Sequence, residues 1–231
     1  LLKLPLSYEE FVDTRQRPFK SLMHSMERAL IDEVIRAWIK SGVYSFERAT
    51  EEITRERGLI EDCDFDYRVL SLTKEIFGAY SNKSEKLWLR QINRSKKLIE
   101  SINECRSNST FDFIILIDRL DESWDGSESA IICLMALMHA TVRLTSVTSC
   151  VKPYVFIREN IYDRIREIDN EFSRLETSVV FLNWTSEKLI ELVERRLVKP
   201  FNTKPSLGGE AWSYFFDDKG KKTSASSVID L

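Results

Sequence analysis

The stretch that most constrains this chain is FDFIILIDRLDE, residues 111 to 122. Five apolar residues, Phe113 to Ile117, stop at Asp118, and Asp121 and Glu122 follow after two more positions. A short, Ile-rich apolar run bounded by polar residues reads as a strand covered on both faces in a parallel sheet. The ligand site of such a sheet lies beyond the carboxyl ends of its strands, where the three carboxylates fall. Carboxylates at that edge suit Mg²⁺, a hard cation held by one or two carboxylates together with substrate phosphates. A structural strand that simply ends in acid is the plainer alternative.

Two further stretches share this character. Val155-Phe156-Ile157-Arg158 reads as a second buried strand ending in arginine. Phe181-Leu182-Asn183-Trp184 is followed by Thr185-Ser186-Glu187-Lys188-Leu189, which can open a helix. The apolar run, Asp, two residues and Asp-Glu together resemble the Walker B strand of P-loop NTPases in their STAND or KAP-like form, a bacterial group related to AAA+ ATPases. The second and third stretches resemble that group's sensor strand and its passage from the last core strand into a helical lid. The resemblance covers roughly Phe111 to Leu197, under half the chain. It implies an α/β fold: a mainly parallel sheet flanked by helices, a helical insertion before Walker B (residues 21–105) and a helical lid. The implied division is a core over residues 1–184 and a lid with the C-terminal segment over 185–231.

The family's phosphate loop, G-x-x-x-x-G-K-[ST], is absent from the 231 residues. Such a loop needs glycine so that backbone N–H groups can wrap the phosphates and its lysine can reach the β and γ oxygens. Asn82-Lys83-Ser84 comes nearest, but the first glycine position is Phe77 and Gly78 is out of register. In the family this loop precedes Walker B, so the resemblance implies that it lies upstream of Leu1 or has been lost. The opening LLKLPLSYEEF, with no Met and no evident strand, suggests a fragment or a processed chain.

Charge and cysteines exclude several classes. Acidic and basic residues nearly cancel, to a net charge of −3, so no global basic field argues for nucleic acid. A local basic face is conceivable on residues 85–105, where Lys86, Arg90, Arg94, Lys96 and Lys97 cluster, although a solvated helix face is the ordinary reading. Cys63, Cys105, Cys133 and Cys150 form no C-x-x-C pair and neighbour neither His24 nor His139, which disfavours zinc and points to a reducing, cytoplasmic setting. Cys133 reads as a small core residue. The run Ala130 to Ala140 is too short to span a bilayer, and no signal peptide opens the chain.

Periodicity predicts helices over Ser21–Ser41, Ser45–Gly58, Val69–Tyr80, Glu85–Cys105, Glu128 to about Val147, Tyr162–Ile168 and Thr185–Leu197. In the first, Glu27, Arg28, Asp32, Glu33 and Arg36 are expected on the wet side. Glu128–Val147 is apolar nearly all round and should lie against the sheet, with Ser127 as its cap and His139 as a packed or rim histidine. The acidic cluster Glu61, Asp62, Asp64 and Asp66 lacks the glycine and final Glu of an EF-hand and reads as a solvated connection. Pro153 is expected to begin the second strand. Gly208-Gly209 and the final residues read as loop, although Trp212, Tyr214, Phe215 and Phe216 suggest local packing.

The resemblance assigns roles. Asp118 would hold Mg²⁺, Asp121 or Glu122 would orient and polarise the attacking water, and Arg158 would donate to the γ-phosphate of ATP. Arg119 stands where many related ATPases carry their catalytic Glu. Arg164 and Arg166 could serve a neighbouring subunit as arginine fingers, but surface ion pairs with Glu159, Asp163 or Glu167 are the ordinary reading. Two functions follow: an ATP-hydrolysing regulatory ATPase that couples nucleotide state to assembly or an effector, in bacterial phage defence for example, or a degenerate fold serving as scaffold or recognition module. The implied partners are further copies of the chain or an effector protein, with no membrane.

Overall fold

The computed structural model describes residues 17–41, 64–81, 85–107, 112–122, 124–169 and 171–198. The chain divides into two units, residues 1–178 and 179–231. The expected helix at Ser45–Gly58, Glu61 and Asp62 of the acidic cluster, and the aromatic group from Trp212 to Phe216 lie outside the described residues.

Among the described residues of the first unit three long helices precede the sheet. Helix α1 (Arg17–Ser41) is packed by α2 (Phe65–Ser81) and α3 (Glu85–Ser107) and by the later helix α4 (Glu128–Val147). Phe19, Leu22, Leu30, Ile31 and Ile35 of α1 and Leu98 and Ile102 of α3 are among the most deeply buried side chains.

That layering overturns the expected wet face of α1. Glu27, Arg28 and Asp32 are only 1%, 4% and 6% exposed. The sequence pattern is amphipathic, but α2, α3 and α4 pack against α1, so its charged stripe meets ion-pair partners in place of most of its water. Glu27 Oε2 accepts from Arg143 Nε of α4 at 2.9 Å and lies 3.0 Å from His24 Nδ1. Arg28 Nε donates to Asp32 Oδ1 at 2.9 Å, and Arg68 of α2 pairs with Glu33.

Strands β1 (Phe113–Ile117) and β2 (Val151–Val155) form a two-stranded parallel sheet, with Phe113 opposite Val151 and Ile117 opposite Val155. The crossover between them is α4, whose length a parallel connection requires. Ser127 Oγ accepts from Ala130 N at 3.2 Å and caps α4, as its sequence suggests. Ile132, Met135 and Ala136 of α4 have no solvent exposure, and the helix packs against α1 and β2. At 20 residues α4 is long and apolar enough to cross a membrane by composition, longer than the apolar run alone suggests, and 61% of its apolar window is buried inside the protein.

β2 begins at Val151, before Pro153 rather than at it. Phe113 N donates to Cys150 O at 2.7 Å and Phe156 N to Ile117 O at 2.9 Å. Alternate residues of a parallel strand serve the same neighbour, so residues 152, 154 and 156 turn their amides to β1 and Pro153 turns its nitrogen outward, where no donor is required of it.

The sheet also departs from the expectation of two covered faces. Burial alternates along both strands. Phe113 faces inward against Trp38 of α1, with ring centroids 5.9 Å apart, whereas Ile114, Leu116, Tyr154 and Phe156 remain 63%, 66%, 51% and 43% exposed. An unbroken apolar run does not say whether the second face has a cover, and here no described element supplies one.

After β2, helix α5 (Glu159–Ile168) starts three residues earlier than its periodicity suggests and is followed by one further turn, α6 (Ser173–Glu176). Tyr162 and Phe172 meet edge to face at 5.0 Å. His139 of α4 lies edge-on to Phe19 of α1 at 5.6 Å, and its Nε2 is 2.7 Å from the buried Asp169 carboxylate at the end of α5.

In the second unit residues 179–185 have no regular secondary structure, and Val180, Phe181, Leu182 and Trp184 are exposed. The expected third strand at Val179–Asn183 is therefore not in the sheet: its apolar residues carry strand propensity, but a strand needs a partner's ladder. Helix α7 (Ser186–Val198) follows, its first turn bonded by Leu189 N to Thr185 O at 3.0 Å.

Cys150 is buried, and Cys133 is a half-buried free thiol. Burial pushes the Cys133 thiol up to about 11 from its ordinary 9.0. At pH 8 its thiolate fraction is then about a hundredfold below that of an ordinary cysteine, and alkylation should slow in proportion. Iodoacetamide labelling of the native protein, followed by mass spectrometry, should show this lag; modification at the rate of a free thiol would refute it.

Candidate functional site

The carboxyl edge of the β1–β2 pair is built by two chain exits lying side by side. The Phe156 N to Ile117 O bond holds the exits together. Asp118 leaves β1 exposed, and its Oδ1 accepts from Arg119 N at 2.8 Å. Arg119 adopts φ 63°, the left-handed region in which a non-glycine residue is strained by about 1 kcal/mol. This reversal carries the chain into a tight turn, with Glu122 N bonded to Arg119 O at 3.1 Å and Trp124 N to Asp121 O at 3.2 Å.

The turn pairs its charges internally. Arg119 Nε lies 3.0 Å from Glu122 Oε1, both exposed. From the other exit, an Arg158 guanidinium nitrogen reaches Asp121 Oδ2 at 2.6 Å. Arg158 is the N-cap of α5, with φ −73° and ψ 145°, and its carbonyl receives Ile161 N and Tyr162 N at 3.0 Å. Farther along the loop, Asp125 Oδ1 accepts from Ser127 N at 2.9 Å, and its bonds to Ser127, first through the side chain and then the backbone, hold its carboxyl below the usual range.

Asp118, Asp121, Glu122 and Arg158 thus follow the carboxyl ends of the paired strands, with Glu122 on the Arg119 guanidinium, Asp121 on that of Arg158, and Asp118 on the Arg119 backbone N–H. Among the described residues no group of three or more His, Cys, Asp or Glu is arranged to hold a metal ion. A cation here would depend on one carboxylate and on oxygens brought by a ligand, and exposed Asp118 suits that role. Arg164 pairs with Glu167 at 2.7 Å, as its sequence neighbourhood suggests, and Arg166 with Glu176 of α6 at 3.3 Å.

Two buried groupings escape a reading of the sequence. The His139–Asp169 pair joins residues 30 positions apart, and the Glu27–Arg143 pair residues 116 apart. No local spacing marks either, and only the polar residues within apolar helical runs hint that partners come from elsewhere.

No protein-family model matches the chain, and no solved structure matches it. The chain is similar to the putative transposon gamma-delta 80.3 kDa protein of Escherichia coli (strain K12), with 27% identity over 134 residues. The matched region is 57% of this chain and 19% of that protein, so the chain spans about a fifth of its relative's length.

Proposed function

We propose that this chain carries the magnesium and water-activating part of an ATP-hydrolysing regulatory ATPase of the P-loop NTPase type, in its STAND or KAP-like form. The observation that carries the reading is the meeting of Asp118, Asp121, Glu122 and Arg158 at the carboxyl edge of two parallel strands joined by a helical crossover. In open α/β sheets that edge is where ligands bind.

Asp118 fits the cation that the reading requires: it is an exposed strand-end carboxylate, and Mg²⁺ is usually held by one or two carboxylates, with substrate oxygens and waters completing its shell. When bound, Mg²⁺ would neutralise developing charge on the phosphates. Asp118 would hold it, Glu122 or Asp121 would orient a water and accept its proton, and Arg158 would donate to the terminal phosphate. The phosphate-wrapping loop must come from elsewhere in the complete protein, and the nucleotide state would pass to further copies or to an effector.

The test is phosphate release from ATP by the complete purified protein, with Mg²⁺ and with EDTA. Hydrolysis should require Mg²⁺, and Glu122→Gln should lower kcat by about a hundredfold or more, the scale of general-base catalysis, with ATP affinity retained. A complete protein that neither binds nor hydrolyses ATP would hand the fold to the second reading, a non-catalytic recognition module. The specific observation favouring that reading is the exposed apolar face of Ile114, Leu116, Tyr154 and Phe156, the kind of surface that marks an interaction site.

A further inference from the structure

The geometry points to a clasp: Arg158 and Asp121 occupy each other, and the terminal phosphate of ATP opens the pair by taking Arg158, which releases the Asp121 carboxylate. This rests on the ATPase reading and adds how the site is held silent without its substrate.

The partners come from different exits, Asp121 from the turn after β1 and Arg158 from the N-cap of α5, three residues past the end of β2, and meet at 2.6 Å. Their backbones are fixed independently of the pair. The Asp121 turn is held by the Glu122 and Trp124 amide bonds, and Arg158 by its position as N-cap of α5. Opening the clasp therefore needs only side-chain rotation. The Arg158 side chain is 72% exposed and that of Asp121 26%, so the guanidinium can be approached from solvent while the carboxylate is the more enclosed partner.

The competition is chemically matched. A guanidinium presents a planar fork that suits carboxylate and phosphate alike, and a terminal phosphate brings more charge and more acceptor oxygens than one carboxylate. Exposed ion pairs are weak, so a phosphate can displace Asp121 at a penalty of at most about fivefold in affinity. Glu122 does not take Asp121's place on Arg158, because Arg119 engages it at 3.0 Å. One event thus marks the phosphate and frees an acid beside it, and ADP, lacking that phosphate, leaves the clasp shut.

Calorimetric titration of the complete protein with MgATP and MgADP tests this in wild type, Asp121→Asn, Arg158→Ala and the double variant. Asp121→Asn should tighten MgATP binding up to about fivefold and leave MgADP unchanged. Arg158→Ala should remove the preference for ATP over ADP, and in that background Asp121→Asn should have no further effect, the coupling that a double-mutant cycle isolates. Unchanged ATP affinity in Asp121→Asn, or the same gain with Arg158 absent, overturns the clasp while leaving the ATPase reading standing. Failure of the wild-type protein to bind either nucleotide overturns both.

Discussion

Replacing Asp118 with alanine is expected to lower Mg²⁺-dependent ATP hydrolysis by the complete protein at least about 10³-fold, the several kcal/mol that a bound metal ion supplies to charge stabilisation. The fold should scarcely notice. Asp118 is exposed, and among the described residues it loses the bond that its Oδ1 accepts from Arg119 N. That bond steadies the strained φ 63° residue, so a loss of about 0.5–1.5 kcal/mol is expected, the usual net value of a hydrogen bond. Phosphate release and thermal melting, measured on the same preparation, separate the two effects. Normal turnover in Asp118→Ala would remove Asp118 from the site.

The second large effect concerns stability. Asp32→Ala leaves the Arg28 guanidinium, 4% exposed, without the carboxylate that it meets at 2.9 Å, and removing one member of a buried pair typically costs about 3–5 kcal/mol. That is a large part of the 5–15 kcal/mol that holds a typical domain together. Replacing both partners, Arg28→Met with Asp32→Leu, should by contrast be near neutral or stabilising, because neither charge then needs desolvating. Urea unfolding of the three proteins decides the matter, and a single variant as stable as the double would show that water reaches Arg28.

The Asp32 carboxyl also gives this pair a pH signature. Burial raises its pKa above the ordinary 3.8, against the opposing pull of Arg28 and, more weakly, of Arg68 and Arg94. A carboxyl raised in the folded state binds its proton more tightly there than in the unfolded chain. Its contribution to stability is therefore full below 3.8 and is lost as pH rises through the raised value. The double variant should lack that decline.

The elements that could be read from sequence were those whose signals are local. Ser127 before an apolar helical run marks the start of α4, and the abrupt change from Ile117 to Asp118 marks the end of β1. That β1 and β2 run parallel, with their carboxyl ends at one edge, followed from two apolar runs each leading to charge, but β2 lies over Val151–Val155 and stops three residues short of Arg158, where the run from Val155 was expected to end. What escaped was set by distant chain. Nothing near Glu27 says that Arg143 will cover it, and an apolar run such as Phe113–Ile117 reads alike whether one face is covered or two. Phe181 and Leu182 carry strand propensity, but pairing is a property of two segments, and sequence displays only one at a time.

Pro153 sets a rule for growth of the sheet. On the outer side of β2 the amides available to a newcomer are those of Val151 and Val155, with the proline ring between them and about 13 Å from one to the other. A strand laid there would find acceptors throughout but a missing donor at its midpoint. Chance edge-to-edge pairing, the first step of many aggregates, is thereby weakened at the strand whose other flank is already committed to β1. Replacing the ring with valine would restore a continuous row of donors and turn a guarded border into an adhesive one.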